Sequence, residues 1–335
     1  MPLLPLVSVL ILAYNHEPYI VQAMEGVINQ KTDFPFELVI GEDCSTDKTR
    51  QIVLAYKEKY PEVVRVITSN NNVGMFQNCL RTEKACSGKY IAYCEGDDFW
   101  HHPLKLQMQV DFLESHPDYG MVHSNANFFY VKNSKLGKSV YKIRPDLDDG
   151  NAYFDILTGK RPVATLTVCV RKDILFEVLQ KNSECNDEHY LMGDLQRWLE
   201  ISRLAKVKYL TEALGTYNVL LESASTSQDP NKALRFQLSA KEIRYHYLLK
   251  YECPMKIARE TRYACSTNVL NYAVHAQNTD VAKREILELR ELNARPPWKD
   301  YILYLGCENK TISCFVEFIR KIRKFKIMNS LLRFE

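Results

Sequence analysis

Through its first 130 residues the chain alternates apolar runs of strand length with amphipathic stretches of helix length. That alternation narrows the fold more than any other feature. Val7 to Ala13 is a buried-strand run, and Ile20, Ala23, Met24, Val27 and Ile28 follow it at helical spacing. Phe36 to Ile40 is a second run, after which Ser45-Thr46-Asp47 caps a helix carrying Ile52, Val53 and Tyr56. A third run, Val63 to Ile67, leads to the turn Asn70-Asn71-Asn72-Val73-Gly74. A helix from Met75 to Cys86 then precedes a fourth run at Tyr90. Strands joined through helices pair in parallel, because a parallel neighbour is reached only by a crossover. The expected fold is α/β: an open, Rossmann-like, mostly parallel sheet with helices on both faces. Such sheets bind ligands in a crevice at the C-terminal strand ends. Those ends carry Tyr14, Asp43 and the pair Asp97-Asp98.

Beyond Gly120 the pattern changes. Met121 to Val131 and Val163 to Val170 read as strands, Arg171 to Leu179 as a helix, and another helix opens near Gly193-Asp194. This block should complete the first domain, residues 1–228, with mixed or antiparallel strands. After Asp229-Pro230 the chain turns helical, with candidates at Lys232 to Tyr251, Lys256 to Ala276 and Val281 to Leu292. Residues 229–335 are therefore expected to be a helical region of packed hairpins. Its tail, 311–334, interleaves Phe315, Phe318, Ile319 and Ile322 with Arg320, Lys321, Arg323 and Lys324, a pattern suited to peripheral contact with an anionic membrane.

A net charge of +3 gives no argument for nucleic acid as a partner. The ten cysteines show no CxxC pair or zinc-like spacing, and most sit in apolar runs; a reducing, cytoplasmic setting is expected. No segment reaches the ~20 apolar residues of a membrane span, and the first apolar stretch has no basic segment ahead of it as a secretory signal would.

The fourth strand runs out into Glu95-Gly96-Asp97-Asp98-Phe99-Trp100. Two adjacent carboxylates repel unless a cation or hydrogen-bond donors offset them. A hard divalent cation such as Mg²⁺ or Mn²⁺, sharing its ligands with a phosphate, is a common solution; an Asp capping the helix near Pro103 is the plainer one. Asp43 reads plainly as a cap or turn residue and Tyr14 as a half-buried core residue, although a carboxylate at a strand end can also accept from a ligand N–H and an aromatic face can stack on a flat ring.

Taken together, Val7 to Asn15, Glu42-Asp43-Cys44-Ser45-Thr46-Asp47, Asn72-Val73-Gly74 through Asn78, Gly88 to Ala92, Glu95-Gly96-Asp97-Asp98 and Gly193-Asp194 resemble the inverting family 2 glycosyltransferases of the GT-A fold. The resemblance covers roughly residues 5–220, and the Glu-Gly-Asp-Asp-Phe-Trp variant is similar to bacterial enzymes of surface-polysaccharide and lipopolysaccharide synthesis. It implies a UDP- or dTDP-sugar donor, a divalent metal, and a lipid-linked or growing glycan as acceptor, at the inner face of the cytoplasmic membrane. It implies Asp43 as the base reader, Asp98 as direct metal ligand and Asp97 as its support or a contact to the donor. It also places Gly74 and Asn78 beside the diphosphate and donor sugar, and makes Asp194 the catalytic base. Asp194 opens a helix, so a capping role is equally compatible with its position.

Glu95 is expected to be an exposed edge residue, and His101 and His102 exposed residues at a helix entry. The chain departs from the family after Tyr217: Asn218-Val219-Leu220-Leu221-Glu222 stands where relatives carry a basic or His-containing segment. His123, Lys232 and Arg235 are candidates to replace that contribution. Two other classes compete: a metal-dependent nucleotidyltransferase and a non-catalytic scaffold with a transferase fold. The first would show a Gly-rich phosphate loop followed by Lys, which Leu12-Ala13-Tyr14-Asn15-His16 is not. Retention of all four aspartates speaks against the second.

Overall fold

The computed structural model describes residues 4–137, 152–182, 185, 189–223, 227–296, 298, 301, 302, 304 and 305. The expected basic tail at 311–334 lies outside them. The chain divides into two compact units, Met1–Leu221 and Glu222–Glu335.

The first unit is built on one nine-stranded sheet. In chain order its elements are β1 (Val7–Ala13), α1 (Ile20–Ile28), β2 (Phe36–Glu42), α2 (Thr49–Lys59), β3 (Val64–Ile67), α3 (Met75–Ala85), β4 (Tyr90–Glu95), β5 (Phe99–Trp100), α4 (Lys105–Ser115), β6 (Tyr119–Tyr130), β7 (Lys135–Gly137), α5 (Tyr153–Thr158), β8 (Cys169–Arg171), α6 (Lys172–Lys181), α7 (Gly193–Leu204) and β9 (Lys206–Val219). The strand order is β3-β2-β1-β4-β8-β6-β9-β5, with β7 paired to β6. The first four strands are parallel, as their helical crossovers require. From β8 onward the sheet is mixed: β8 runs antiparallel to β4 and β6, while β6 and β9 are parallel.

The chain steps outward from β1 to β2 and β3, then returns to β4 on the other side of β1. This reversal is a topological switch point, where such sheets open a crevice. The register places Leu12 beside Glu95 and Ala13 beside Glu42, so two carboxylates flank the end of β1. The core beneath is apolar and closed. Val7, Val9 and Ile11 of β1, Leu38 and Ile40 of β2 and Tyr90 and Ala92 of β4 are all fully buried, packed with Ile20, Met24 and Val27 of α1. A Cβ on Gly26 would stand 2.6 Å from the Trp100 carbonyl oxygen, so this glycine lets α1 lie directly on β5.

Two local expectations are corrected. Val163 to Val170 is not one strand. The Thr167 amide and hydroxyl both bond to the Ala164 carbonyl, at 2.9 and 2.6 Å, closing a 3-10 turn ahead of the short β8. At α2 the cap position is Lys48; Asp47 lies one residue earlier, accepting from the amides of Thr49 at 2.9 Å and Glu17 at 3.0 Å.

The second unit comprises α8 (Pro230–Lys250), α9 (Met255–His275) and α10 (Thr279–Glu291), close to the expected spans. Asp229 caps α8 ahead of Pro230, and Asn278 caps α10. Leu234, Val269, Leu270, Ala273, Ile286 and Leu289 form its core. Beside them the Lys241 ammonium is held by Glu285 and Glu288. No helix among the described residues is long and apolar enough to cross a membrane.

Candidate active site

One side of the crevice is organised by Asp43, the residue after β2. It is 2% exposed, and its carboxylate accepts from the amides of Val73 at 2.8 Å and Gly74 at 3.0 Å. The Arg81 guanidinium lies 3.7 Å away. Asp43 thus holds the loop that enters α3. Gly74 has φ +85°, a backbone conformation open to glycine, while a Cβ there would meet nothing within 4 Å. Asn78 is buried; its amide donates to the Gly41 carbonyl at 2.8 Å and accepts from Arg81 Nε at 2.9 Å, tying α3 to β2. Tyr14, just past β1, is 43% exposed, so its ring is free to take a flat ligand. The neighbouring Asn15 side chain accepts from the Thr46 amide at 2.8 Å, joining the loops after β1 and β2.

The other side is acidic. Gly96 passes against the end of β1: a Cβ there would stand 2.4 Å from His16 Nδ1 and 2.7 Å from the Leu12 carbonyl oxygen. This close passage turns the chain so that Asp98 faces inward. Asp98 is 2% exposed; its Oδ1 accepts from the Asn218 amide at 2.8 Å, and its Oδ2 is enclosed without a partner. Burial, then the charges of Asp97 and Glu95, push its carboxyl well above the usual range. Asp97 is half-buried and faces outward more than Asp98 does.

Glu95 corrects an expectation. It is half-buried rather than exposed, and its Oε2 is enclosed without a partner. Its carboxyl is pushed up to about 8 by burial, then by the charges of Asp97 and Asp194. Glu95 therefore stands within electrostatic reach of both the acidic pair and Asp194. Asp194 is the second residue of α7; the cap position belongs to Met192, so the capping role does not apply. Its Oδ2 accepts from the Thr165 hydroxyl at 2.8 Å and its Oδ1 from the Leu195 amide at 2.8 Å.

His101 is exposed ahead of α4, as expected, and His102 is half-buried, but both rings are tied down. The His101 ring bonds to Thr216 Oγ1 at 3.0 Å and the Ala213 carbonyl at 2.8 Å, and His102 lies 3.4 Å from Glu212, so both bind β9. His123 does not replace the missing basic segment: it is fully buried, and burial followed by the Arg161 charge pushes its imidazole down to about 3. Lys232 and Arg235 lie on α8, in the second unit.

Four participants escaped the sequence: Glu95, Asn218, Thr165 and His16. Burial pushes the His16 imidazole down, against the opposing pull of Asp97 and Asp47. The position of Glu95 at the strand terminus was the available signal. Asn218 gave none, because its contact spans 120 residues.

Among the described residues no group of three or more His, Cys, Asp or Glu side chains is arranged to hold a metal by itself. The unpartnered oxygens of Asp98 and Glu95 nevertheless suit a hard cation that takes its remaining ligands from phosphate oxygens and water.

Residues 8–165 match the family described as glycosyl transferase family 2. An uncharacterized protein of Mycobacterium tuberculosis is 38% identical over 128 residues, and this chain spans 37% of its length. The putative teichuronic acid biosynthesis glycosyltransferase TuaG of Bacillus subtilis is 26% identical over 67% of this chain and 83% of its own. An Escherichia coli UDP-Glc:alpha-D-GlcNAc-diphosphoundecaprenol beta-1,3-glucosyltransferase, WfaP, is 30% identical over 43% of this chain and 54% of its own. Among solved structures, Staphylococcus aureus TarS 1-349 with UDP-GlcNAc superposes with a TM-score of 0.56 at 18% identity, covering 92% of this chain and 83% of that one. The mannosyltransferase PcManGT of Pyrobaculum calidifontis, with GDP-Man and Mn²⁺, does so at 0.55 and 13%, covering 94% and 84%. The similarity to glycosyl transferase family 2 thus spans residues 8–165, and the first unit has the GT-A fold.

Proposed function

We propose that this chain is an inverting glycosyltransferase that moves a sugar from a UDP- or dTDP-sugar to a hydroxyl of a lipid-linked or growing surface glycan. The observation that carries the reading is the meeting of two kinds of group at one crevice. Asp43 and Tyr14 bound its nucleotide side, and Glu95, Asp97, Asp98 and Asp194 share one electrostatic neighbourhood at the other.

In this reading the uracil or thymine base lies against Tyr14, with Asp43 accepting from its imide while keeping the Val73-Gly74 amides in place. Gly74 and Asn78 shape the wall beside the diphosphate. Asp98 would ligate a divalent cation directly with Asp97 in support, and the cation would supply charge neutralisation for the departing nucleoside diphosphate. Asp194 takes the proton of the acceptor hydroxyl as that oxygen attacks the anomeric carbon from the face opposite the leaving group. Thr165 and the Leu195 amide fix its two oxygens, so the base is oriented before the acceptor arrives.

Three names among the relatives and neighbours favour the surface-glycan setting: teichuronic acid biosynthesis for TuaG, a diphosphoundecaprenol acceptor for WfaP, and UDP-GlcNAc bound to TarS. Mn²⁺ in PcManGT favours the metal. We assign residues 1–228 to the transferase domain and 229–335 to a helical region whose basic stretch at 311–334 contacts anionic lipid at the inner membrane face. The deciding experiment pairs UDP calorimetry in Mn²⁺ with transfer assays of Asp194→Asn. Retained UDP affinity with transfer reduced at least about 100-fold supports the reading; transfer at the wild-type rate removes Asp194 as base.

A further inference from the structure

Helices α3 and α7 meet inside the first unit through an ion pair. Glu83 of α3 is fully enclosed and Arg197 of α7 is 5% exposed. Arg197 Nη1 donates to Glu83 Oε1 at 2.6 Å and to Cys79 Sγ at 3.1 Å. The Tyr93 hydroxyl of β4 donates to the same carboxylate oxygen at 2.7 Å, and the Tyr93 ring lies edge-on to Trp198 at 5.6 Å. Glu83 Oε2 and Arg197 Nε are enclosed without partners.

As a stabiliser this arrangement is poor. Desolvating two charges and leaving polar atoms unpaired offsets most of the attraction, and an apolar pair of like volume would hold the helices as well. What an ion pair adds is direction. Helix α7 is buried at Gly193 and at every residue from Leu195 to Ser202, so its apolar residues pack on several sides and the polar ones among them, Arg197 included, decide which rotation about its axis is kept. Successive residues differ by about 100° around a helix. A charge anchored at Arg197 fixes that rotation one turn from Asp194. The same carboxylate holds Tyr93, two residues before Glu95, and sits on the helix whose first turn follows Gly74, the residue bound by Asp43. Phe76 of that first turn packs so tightly on Gly193 that a Cβ would stand 2.3 Å from its ring.

We propose that Glu83 and Arg197 form a positioning pair that sets the rotation of α7, and through it the aim of the Asp194 carboxylate at the acceptor. The proposal rests on Asp194 being the base. Neither residue touches substrate; both act through Asp194.

The test compares Arg197→Met, Arg197→Lys, the double variant Glu83→Met/Arg197→Met, its reference Tyr93→Phe/Glu83→Met, and Asp194→Asn. Each is assayed for turnover of UDP-glucose and UDP-N-acetylglucosamine with Mn²⁺, for UDP affinity, for melting temperature, and for amide exchange over 191–199. In the double variant the melting temperature should fall no further than in Tyr93→Phe/Glu83→Met, which loses the same hydroxyl bond, and KM and UDP affinity should stay within about twofold, while kcat falls at least about tenfold. Exchange should rise over 191–199 and not over β1. Arg197→Lys should recover part of kcat. Unchanged kcat and exchange in the double variant overturns the proposal, as does exchange rising everywhere with a melting temperature below that of the reference. Should Asp194→Asn turn over like the wild type, the base assignment fails. The local exchange at 191–199 then decides alone whether the pair sets the helix.

Discussion

The main-chain amide of Asn218 donates to Asp98 Oδ1 at 2.8 Å, across 120 residues of chain, and the Asn218 side chain donates to the Asp97 carbonyl. The end of β9 thereby clamps the acidic turn after β4 in the position where its carboxylates converge. Asn218→Ala keeps the main-chain bond and loses the side-chain one. A net hydrogen bond of about 1 kcal/mol corresponds to roughly fivefold weaker Mn²⁺-dependent UDP binding. Calorimetry with Mn²⁺ and with a chelator checks this; the chelated values should coincide with those of the wild type.

Asp98→Ala should separate metal from nucleotide. Its enclosed Oδ2 has no partner, so its loss should weaken UDP binding about tenfold or more in Mn²⁺ and leave metal-free binding unchanged. Equal loss under both conditions would assign Asp98 to the fold alone.

Asp43→Asn should do the reverse. One of the charge-assisted bonds to the Val73 and Gly74 amides would become a neutral one and the other would be lost, because the Asn NH2 cannot accept, costing about 1–3 kcal/mol of loop order. UDP affinity should fall in the presence and absence of metal alike, and proteolysis at 70–74 should quicken.

Gly193→Ala tests the contact beneath Asp194. The added methyl meets the Phe76 ring at 2.3 Å, an overpacking worth about 1–3 kcal/mol. The melting temperature should fall, and Phe76→Leu in the same chain should restore most of it.

Lys105 makes stability pH-dependent. Its ammonium is fully buried, bonded to Gln109 Oε1 at 2.7 Å and 3.9 Å from the Trp100 ring centroid, with burial pushing it down to about 8. The unfolded chain holds this proton more tightly, so between about pH 8 and 10.5 it binds more protons than the folded state does. Stability should therefore rise with pH across that window. Lys105→Met should remove the rise. Melting curves taken from pH 7 to 10.5 check both.

The parallel half of the sheet was legible because Val7 to Ala13 and Tyr90 to Cys94 are unbroken apolar runs, and the helices between them keep one buried face. The three late helices were legible from the change to a helical pattern after Asp229-Pro230. What stayed hidden was decided across the chain. Val163 to Val170 looks extended by composition, yet Thr167 finds the Ala164 carbonyl and turns. Glu95 looks like a surface carboxylate until Asp97 and Asp194 are seen to crowd it. Asn218 sits where a basic segment was expected, and its part becomes visible only once β9 lies along β6, whose register is interrupted by irregularities near Asn125. Tyr14, Asp43, Asp97, Asp98 and Asp194 could be singled out because each lies near a strand end or a helix start, while the roles expected of them came from the family resemblance.

The clamp from Asn218 also bears on synthesis. Chains emerge from the ribosome N-terminus first at about 5–20 residues per second. The four parallel strands are therefore available to pair well before Asn218 is made. Until it arrives, the repulsion among Glu95, Asp97 and Asp98 goes unanswered by that amide, and the nascent domain is a sheet whose working edge is still open. Ribosomes stalled short of Asn218 should thus display a half-domain that is folded along β1 and β4 but whose nucleotide binding gains nothing from Mn²⁺, and metal dependence should appear in a single late step.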